Sequence, residues 1–431
     1  MKRGFYTVMA AQFFSSLADN ALLIAAIALL INLQGPAWMT PLLKFFFTVS
    51  YVVLAAFVGT FADSMPKGKV MFITNTVKIA GCALMFFYDY FALLGINSNL
   101  VVLASYAVVG LGAAAYSPAK YGILTEMLPP RQLVVANGWI EGLTVASIII
   151  GTVLGGALIS RGVSSALLSI DLPYFDTGID APPEAAILVI ALFYLIAAAF
   201  NLRIPDTGAR YHDQTRNPVI MVKDFVECFI TLWRDKLGQI SLAVTTLFWG
   251  AGATLQFIVL KWAERSLEMP LSQGAILQGV VAVGVALGAV LAGRLVPLSS
   301  SLRVLPVGVA MGFAVMSLIF VTWMPLVYFL LILVGALAGF FVVPMNALLQ
   351  HRGHVLLSAG HSIAVQNFNE NLNILLMLAL YALMIRADFG INSIIVIFGA
   401  FVSLTMLLVI KLHKHNQSQQ DSLHLIGMEK H

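Results

Sequence analysis

The chain has 431 residues, 60% of them hydrophobic and only 10% charged, where soluble domains carry roughly 25% charged residues. With a mean hydropathy of +0.92, no soluble core buries that much apolar surface, so the bilayer is the solvent. The net charge of +4 then speaks of orientation in a membrane and says nothing about nucleic acid. Two cysteines, Cys82 in an apolar stretch and Cys228 in a polar loop, leave neither a disulfide framework nor a cysteine-based metal site.

Taken in chain order, apolar runs long enough to cross about 30 Å of hydrocarbon are predicted at 5–32, 42–62, 69–91, 97–117, 134–160 and 184–203. A second set follows at 238–262, 272–296, 302–323, 325–349, 360–386 and 389–412. The first run follows Met1-Lys2-Arg3, but its length, its central Asp19-Asn20 and the lack of a small-residue cleavage site make it a span and not a signal sequence. The predicted fold class is an all-α membrane protein with twelve transmembrane helices in two pseudo-symmetric six-helix bundles. Lys67, Lys69, Arg131, Arg203, Arg234, Arg303, Arg352 and Lys414 gather on one side and Lys44, Arg161, Lys261 and Arg386 fall on the other. The positive-inside bias therefore puts both termini in the cytoplasm.

The organisation read from these runs is an N-terminal bundle at 1–203, a cytoplasmic linker at 204–237, a C-terminal bundle at 238–412 and a cytoplasmic tail at 413–431. Within the linker, Asn217-Pro218 opens a stretch in which Val219, Ile220, Val222, Phe225, Val226, Phe229, Ile230, Leu232 and Trp233 alternate with Lys223, Asp224, Glu227 and Arg234. An amphipathic helix on the cytoplasmic face and a plain tether between the halves both fit this pattern. The outer loop at 161–183, with Asp171, Asp176 and Asp180, is expected to be an irregular cap. His413, His415, His424 and His431 fall in the polar tail, which reads as disordered.

A plan of two six-span sets invites a search for an internal repeat. Tyr116-Ser117-Pro118-Ala119-Lys120 at the inner end of the fourth run answers to Val342-Val343-Pro344-Met345-Asn346 in the tenth. The same offset sets Asn137 and Glu141 of the fifth run against Asn367, Asn369 and Glu370 of the eleventh. Gly151 with Gly155 and Gly156, Gly284 with Gly288, and Gly335 with Gly339 follow the small-xxx-small spacing of closely packed membrane helices.

Between the second and third runs, Gly59-Thr60-Phe61-Ala62-Asp63-Ser64-Met65-Pro66-Lys67-Gly68-Lys69 resembles the cytoplasmic signature of the major facilitator superfamily, with an altered spacing between the Asp and the basic pair. Four further segments are more specific: Ala18-Asp19-Asn20-Ala21-Leu22-Leu23, Ala113 to Leu124, Ala136-Asn137-Gly138, and Phe340 to Gln350. With Ala364-Val365-Gln366-Asn367, they resemble the bacterial lysophospholipid transporter family of that superfamily along almost the whole chain. The sequence departs from that pattern at His361, where Asn is expected, and in a longer outer loop after the fifth run.

The resemblance implies a flippase-like carrier in the bacterial inner membrane that takes lysophospholipids from the outer to the inner leaflet for reacylation, functionally coupled to an acyltransferase. It implies no cofactor, no metal and a monomer. Such a substrate needs a polar track for its head and apolar walls for its tail. Asp19, an ionisable group in mid-span with Asn20 beside it, is a candidate for an ammonium head, since embedded charges mark pathways by default; its other reading is a helix-locking pair with Lys78. Lys120, beside Tyr116 and after a Ser-Pro that breaks the fourth run, offers an ammonium to phosphate or is one more inner-face cation. Asn137, Glu141, Asn367 and Glu370 make the fifth and eleventh runs polar enough for a hydrated cavity or a gate, or serve as interhelical glue. Asp63, Lys67 and Lys69 are expected to form a gating latch at the inner membrane edge. Phe45, Phe46, Phe47 and Tyr51 line a tail groove or face lipid. Two other functions stay open: a proton-coupled drug or sugar carrier with Asp19 or Glu141 as the protonated group, and, from another class, a multispan membrane acyltransferase. The second would want a His-acid pair at one membrane face, which the sequence does not offer.

Overall fold

The computed structural model describes residues 3–36, 39–168, 181–209, 211, 217–269, 271–419 and 426. Among them the order is helix after helix. It runs α1 (Arg3–Asn32), α2 (Met39–Val53), α3 (Ala55–Asp63), α4 (Lys67–Phe86), α5 (Tyr88–Leu93), α6 (Ser98–Met127), α7 (Leu133–Leu158), α8 (Arg161–Leu168) and α9 (Pro182–Leu202). Then follow α10 (Pro218–Arg234), α11 (Gly238–Ser266), α12 (Leu271–Leu295), α13 (Leu305–Ser317), α14 (Met324–Leu356), α15 (Ala359–Arg386) and α16 (Ile391–Gln419). Among the described residues eleven segments are long and apolar enough to span, and a twelfth results if the bent pair α2–α3 counts as one. Span after span satisfies its own backbone, as hydrocarbon requires.

Several boundaries differ from those expected, each for a local reason. The second span is broken by 65° between Val53 and Ala55. There the Ser50 hydroxyl donates back to the Phe46 carbonyl at 2.9 Å, a bond that bends helices, and Phe57 N donates to Leu54 O at 2.8 Å in place of the regular ladder. Pro118 does not end its span: α6 continues through it to Met127, as α14 continues through Pro344 to Leu356. Membrane helices tolerate an internal proline because packed neighbours take up the freed backbone group. The loop at 161–183 is not irregular throughout, since Arg161–Leu168 is helical; Asp171, Asp176 and Asp180 lie outside the described residues. The tail is helical to Gln419, so His413 and His415 belong to α16, while His424 and His431 lie outside the described residues. In the linker, Pro218–Arg234 forms a helix whose N-cap is Asn217, its side chain accepting from Val219 N.

By contacts the chain divides into two compact units, residues 1–120 with 146–215 and residues 121–145 with 216–431. The sequence halves and these units differ at one segment: the C-terminal end of α6 and the N-terminal part of α7 belong to the second unit.

In the first unit α9 lies along α1 and α4. Alanine makes this possible, because Ala18, Ala21 and Ala25 of α1 are fully buried and let the helices approach. A core of Leu22, Leu29, Leu43, Met85, Ile190 and Tyr194 fills the space around them. The C-terminal half of α7 closes on α1 at Gly155, where a methyl group would stand 2.8 Å from the Ala21 carbonyl oxygen. Gly156, expected to share that contact, faces open space.

In the second unit the most extensive seam joins α12 and α14. Gly284 and Gly288 face the carbonyls of Ile332 and Ala336, while Gly335 and Gly339 face those of Val281 and Val285. The glycines are reciprocal, so neither helix accepts a side chain there without moving the other. Around this seam α11 packs on α15 and α13 on α16.

Candidate functional site

The charged site is built in the first unit from α1, α4, α6 and α9. Asp19 lies mid-way along α1, where an unpaired carboxylate in an apolar core is prohibitive, and the neighbouring helices answer it. Lys78 Nζ on α4 reaches Asp19 Oδ2 at 2.8 Å, Tyr194 Oη on α9 donates to Asp19 Oδ1 at 2.5 Å, and Tyr106 Oη on α6 donates to the Asp19 backbone carbonyl at 3.4 Å. Lys78 also donates to Ser15 Oγ at 3.0 Å, and Ser15 donates to Asn75 Oδ1 at 2.8 Å. The ammonium sits over two rings, 5.1 Å from that of Tyr116 and 5.6 Å from that of Tyr194, which adds cation–π attraction in a desolvated place. The lysine side chain is 2% exposed and the aspartate 16%, so the carboxylate is the more accessible partner. Tyr116, 4% exposed, has a buried hydroxyl with no hydrogen-bond partner among the described residues.

The cation that Asp19 receives is thus Lys78, the partner expected of a helix lock. Lys120, half-buried, is not among the groups bonded to this carboxylate. Asn20 also stays out of the cluster: its Nδ2 donates to the Ser16 carbonyl one turn back at 2.8 Å. An aromatic wall continues from the cluster, with Phe47 5.6 Å from Tyr106 and 6.0 Å from Tyr51, centroid to centroid. Phe45 and Phe46 are exposed.

The second polar region lies in the second unit, on the N-terminal part of α7 and on α14 and α15. Asn137 and Gln350 exchange two amide hydrogen bonds, each 2.9 Å. One turn further, Asn346 Nδ2 donates to Glu141 Oε1 at 3.1 Å. Gln366 Nε2 donates to Asn346 Oδ1 at 3.0 Å and to Glu370 Oε1 at 2.7 Å. Two buried carboxylates are therefore joined through two amides, all on helix faces with i, i+4 spacing. Asn367 is buried nearby and its carbonyl accepts from Asn371 Nδ2 at 2.9 Å. Asn369 accepts from Trp233 Nε1 of α10 at 3.3 Å. His361 occupies the start of α15, where Ser358 caps the helix and meets His361 Nδ1 at 2.8 Å.

The Asp63–Lys67 pair at the end of α3 is more buried than a place at a membrane edge suggests. Lys67 Nζ binds Asp63 Oδ1 at 2.5 Å and the Ala62 carbonyl at 2.8 Å, and both side chains are buried. The Tyr211 ring covers the ammonium at 5.0 Å. Lys69 is exposed and forms no ion pair among the described residues, so the expected three-residue latch is a pair.

Sequence reasoning missed Tyr194 and Tyr106, which stand in apolar runs without any periodic signal. Ser15 and Asn75 were equally silent. Asn346 and Gln350 lay inside a quoted motif without an assigned role. Gln256 and Gln278 were missed as well: mid-helix amides on α11 and α12 that bond each other at 3.2 Å, with Gln278 Nε2 also on the Gln256 carbonyl at 2.8 Å.

Comparison with known proteins bears on what this arrangement serves. The profile of the Major Facilitator Superfamily matches residues 8–375. The chain is 42% identical over 387 residues to the lysophospholipid transporter LplT of Yersinia enterocolitica, covering 90% of this chain and 88% of that one. The identity and coverage are the same for the lysophospholipid transporter LplT of Yersinia pestis strain Pestoides F. Among solved structures, a bacterial homologue of the iron transporter ferroportin in an outward-facing state superposes with a TM-score of 0.71 at 14% identity, covering 97% of this chain and 100% of that one. The E. coli fucose:proton symporter does so with a TM-score of 0.70 at 13% identity, covering 96% and 98%. At such identities the structural likeness speaks for the fold alone.

Proposed function

We propose a function from one premise: the chain belongs to the lysophospholipid transporter family of the major facilitator superfamily. It carries lysophospholipids across the bacterial inner membrane, from the outer to the inner leaflet, where an acyltransferase consumes them. It is not itself an enzyme, works as a monomer and holds both termini in the cytoplasm.

The observation that carries this reading is the Asp19–Lys78 pair inside an apolar core, bounded by tyrosines. Pulling such a pair apart costs about 3–5 kcal/mol when one partner is simply lost. A zwitterionic phosphoethanolamine head supplies both charges at once. Its phosphate takes Lys78 and its ammonium takes Asp19, so neither protein charge is left bare during the exchange. Tyr116, whose hydroxyl lacks a partner among the described residues, supplies one further donor for a head-group oxygen. The rings of Tyr106, Phe47 and Tyr51 continue from the charged cluster as a wall suited to an acyl chain. Lys78 thus takes the phosphate role that the sequence suggested for Lys120. Asn137, Glu141, Asn367 and Glu370, with Asn346, Gln350 and Gln366, act as a gate that is held shut by hydrogen bonds and not by charge. Asp63 and Lys67 latch the inner end of the bent second span.

Purified protein in vesicles is expected to take up labelled lysophosphatidylethanolamine and to leave a sugar and a cationic drug outside. Uptake of the sugar or the drug instead would overturn the substrate assignment. Cysteines at Ser165 and Ser299, both exposed, are expected to react with an impermeant reagent from opposite sides; same-side labelling would refute the orientation. One observation favours a second reading, proton coupling: the hydrogen-bonded chain from Glu141 to Glu370 links two buried carboxylates. Under the proposed downhill flip a protonophore leaves the initial rate unchanged, and under proton coupling it collapses the rate.

A further inference from the structure

Lys44 stands in the apolar run of α2, and none of the roles described above uses it. It is exposed and forms no ion pair and no hydrogen bond among the described residues. Its ammonium lies over the Phe47 ring, 5.3 Å from the centroid. A ring face alone offers an exposed cation about 0.5–1 kcal/mol, and a charge within a span marks a pathway by default. The helix fixes which way it looks. Lys44, Phe47 and Tyr51 follow one another at i, i+3 and i+7 and so share one face of α2, whereas Phe45 and Val53, both exposed, lie on another. α6 holds Phe47 in place: a methyl group on Gly110 would stand 2.8 Å from Phe47 Cα, and the Phe47 ring meets that of Tyr106 at 5.6 Å. Tyr106 in turn donates to the Asp19 carbonyl, and the carboxylate within electrostatic reach of Lys44 is that of Asp19. Lys44 therefore belongs to the face that leads to the Asp19–Lys78 pair. It stands two turns before Tyr51, about 10 Å along the helix.

We propose that Lys44 is a capture site for the phosphate of a single-chain amphiphile, filled before the Asp19–Lys78 pair opens. The site rests on the lysophospholipid reading and deepens it, because it places an earlier stop on the same route. A phosphate at Lys44 answers the three donors of its ammonium, while the acyl chain lies along the rings of Phe47 and Tyr51. With the capture cation two turns away, Asp19 and Lys78 stay paired when the route is empty and when a head group first arrives. Their exchange then starts from a bound lipid, and neither charge is bared to the apolar core. Lys44, Lys78 and Asp19 together carry one positive charge, so the route favours a phosphate over an uncharged head group of the same size.

The test is binding of labelled oleoyl lysophosphatidic acid to the purified full chain in a maltoside detergent, where no bilayer phosphate competes. Lys44→Gln and Lys44→Arg are compared with the unmodified chain, and again in an Asp19→Asn, Lys78→Met background that lacks the deeper pair. Lys44→Gln is expected to raise Kd about tenfold in both backgrounds, as loss of a bond to a charged group implies, and Lys44→Arg to keep the affinity. Monooleoylglycerol, the same chain without phosphate, is expected to bind all variants alike, and inorganic phosphate to leave the labelled lipid in place. In vesicles, Lys44→Gln is expected to raise KM for lysophosphatidylethanolamine uptake about tenfold with kcat unchanged. Equal affinity of the unmodified chain and Lys44→Gln for lysophosphatidic acid would overturn the site and leave Lys44 as a lysine that snorkels to the phosphates of the bilayer. A parallel loss for monooleoylglycerol would overturn it in favour of packing, and displacement by inorganic phosphate would overturn the role of the chain. Absence of uptake by the unmodified chain would overturn the transport reading and not the site, which binding measures separately.

Discussion

The two polar regions of this protein solve the same problem with different chemistry. In the first unit, α1, α4 and α9 bury a full ion pair, Asp19 with Lys78, and surround it with hydroxyls and rings. In the second, α7, α14 and α15 bury amides: Asn137 pairs with Gln350, and one turn away Asn346 and Gln366 join the carboxylates of Glu141 and Glu370. An ion pair in low dielectric is all or nothing, since one charge without the other is worse than neither. A hydrogen bond between side-chain amides exchanges cheaply, worth about 0.6 kcal/mol on average between membrane helices. Under the proposed function the contrast suits a division of labour: strong and selective interaction where a charged head would be recognised, weak and reversible interaction where helices would part.

That contrast can be broken by mutation, beginning with its strongest element. Lys78→Met strands the Asp19 carboxylate and is expected to lower stability by about 3–5 kcal/mol, read as thermal unfolding in detergent. Asp19→Asn combined with Lys78→Met removes both charges and is expected to recover most of that stability while leaving transport lost. A double variant as unstable as the single one would show that the pair is no electrostatic unit. Tyr194→Phe comes next: it deletes a hydroxyl donated to a charged oxygen, and a loss of about 1.5–3 kcal/mol is expected. Smaller again is Asn137→Ala, which orphans the Gln350 amide at about 1–3 kcal/mol. Exchanging the two residues, Asn137→Gln with Gln350→Asn, is expected to restore the reciprocal bonds and give a coupling energy within about 0.5–3 kcal/mol; additivity would dissolve the amide pair into independent contacts. Trp233→Phe removes only the bond to Asn369, and a change near 0.6 kcal/mol is expected.

The same contrast marks what a sequence reveals of such a protein. Spans and linker helix are legible because hydrocarbon thickness imposes length and apolarity, and α1, α9, α11 and α15 start and stop within a few residues of the expected runs. The kink at Leu54 and the continuity through Pro118 are not, because both depend on local hydrogen bonds that hydropathy does not register. Asp19 announces itself, since a carboxylate in an apolar run has no ordinary reason to be there. Its partner was visible only as one alternative, and Tyr194 and Tyr106 were invisible, since a tyrosine in a hydrophobic stretch reads as packing. In the second region, Glu141 and Glu370 stand out by charge. The pairing of Asn137 with Gln350 does not, because it joins residues far apart in sequence and rests on the close approach of α7 and α14.

The claim that Asp19 and Lys78 receive the two charges of the head group is tested most directly by the head-group selectivity of Asp19→Asn, a change that keeps size and much hydrogen-bonding capacity while removing the anion. Uptake of ethanolamine and glycerol lysophospholipids is measured side by side and normalised to folded protein in the membrane. The account predicts that ethanolamine lipid, which alone brings an ammonium for Asp19, loses uptake by roughly tenfold or more, the factor for about 1.4 kcal/mol, while the glycerol lipid falls far less. Equal losses for the two lipids, or none for either, would contradict it.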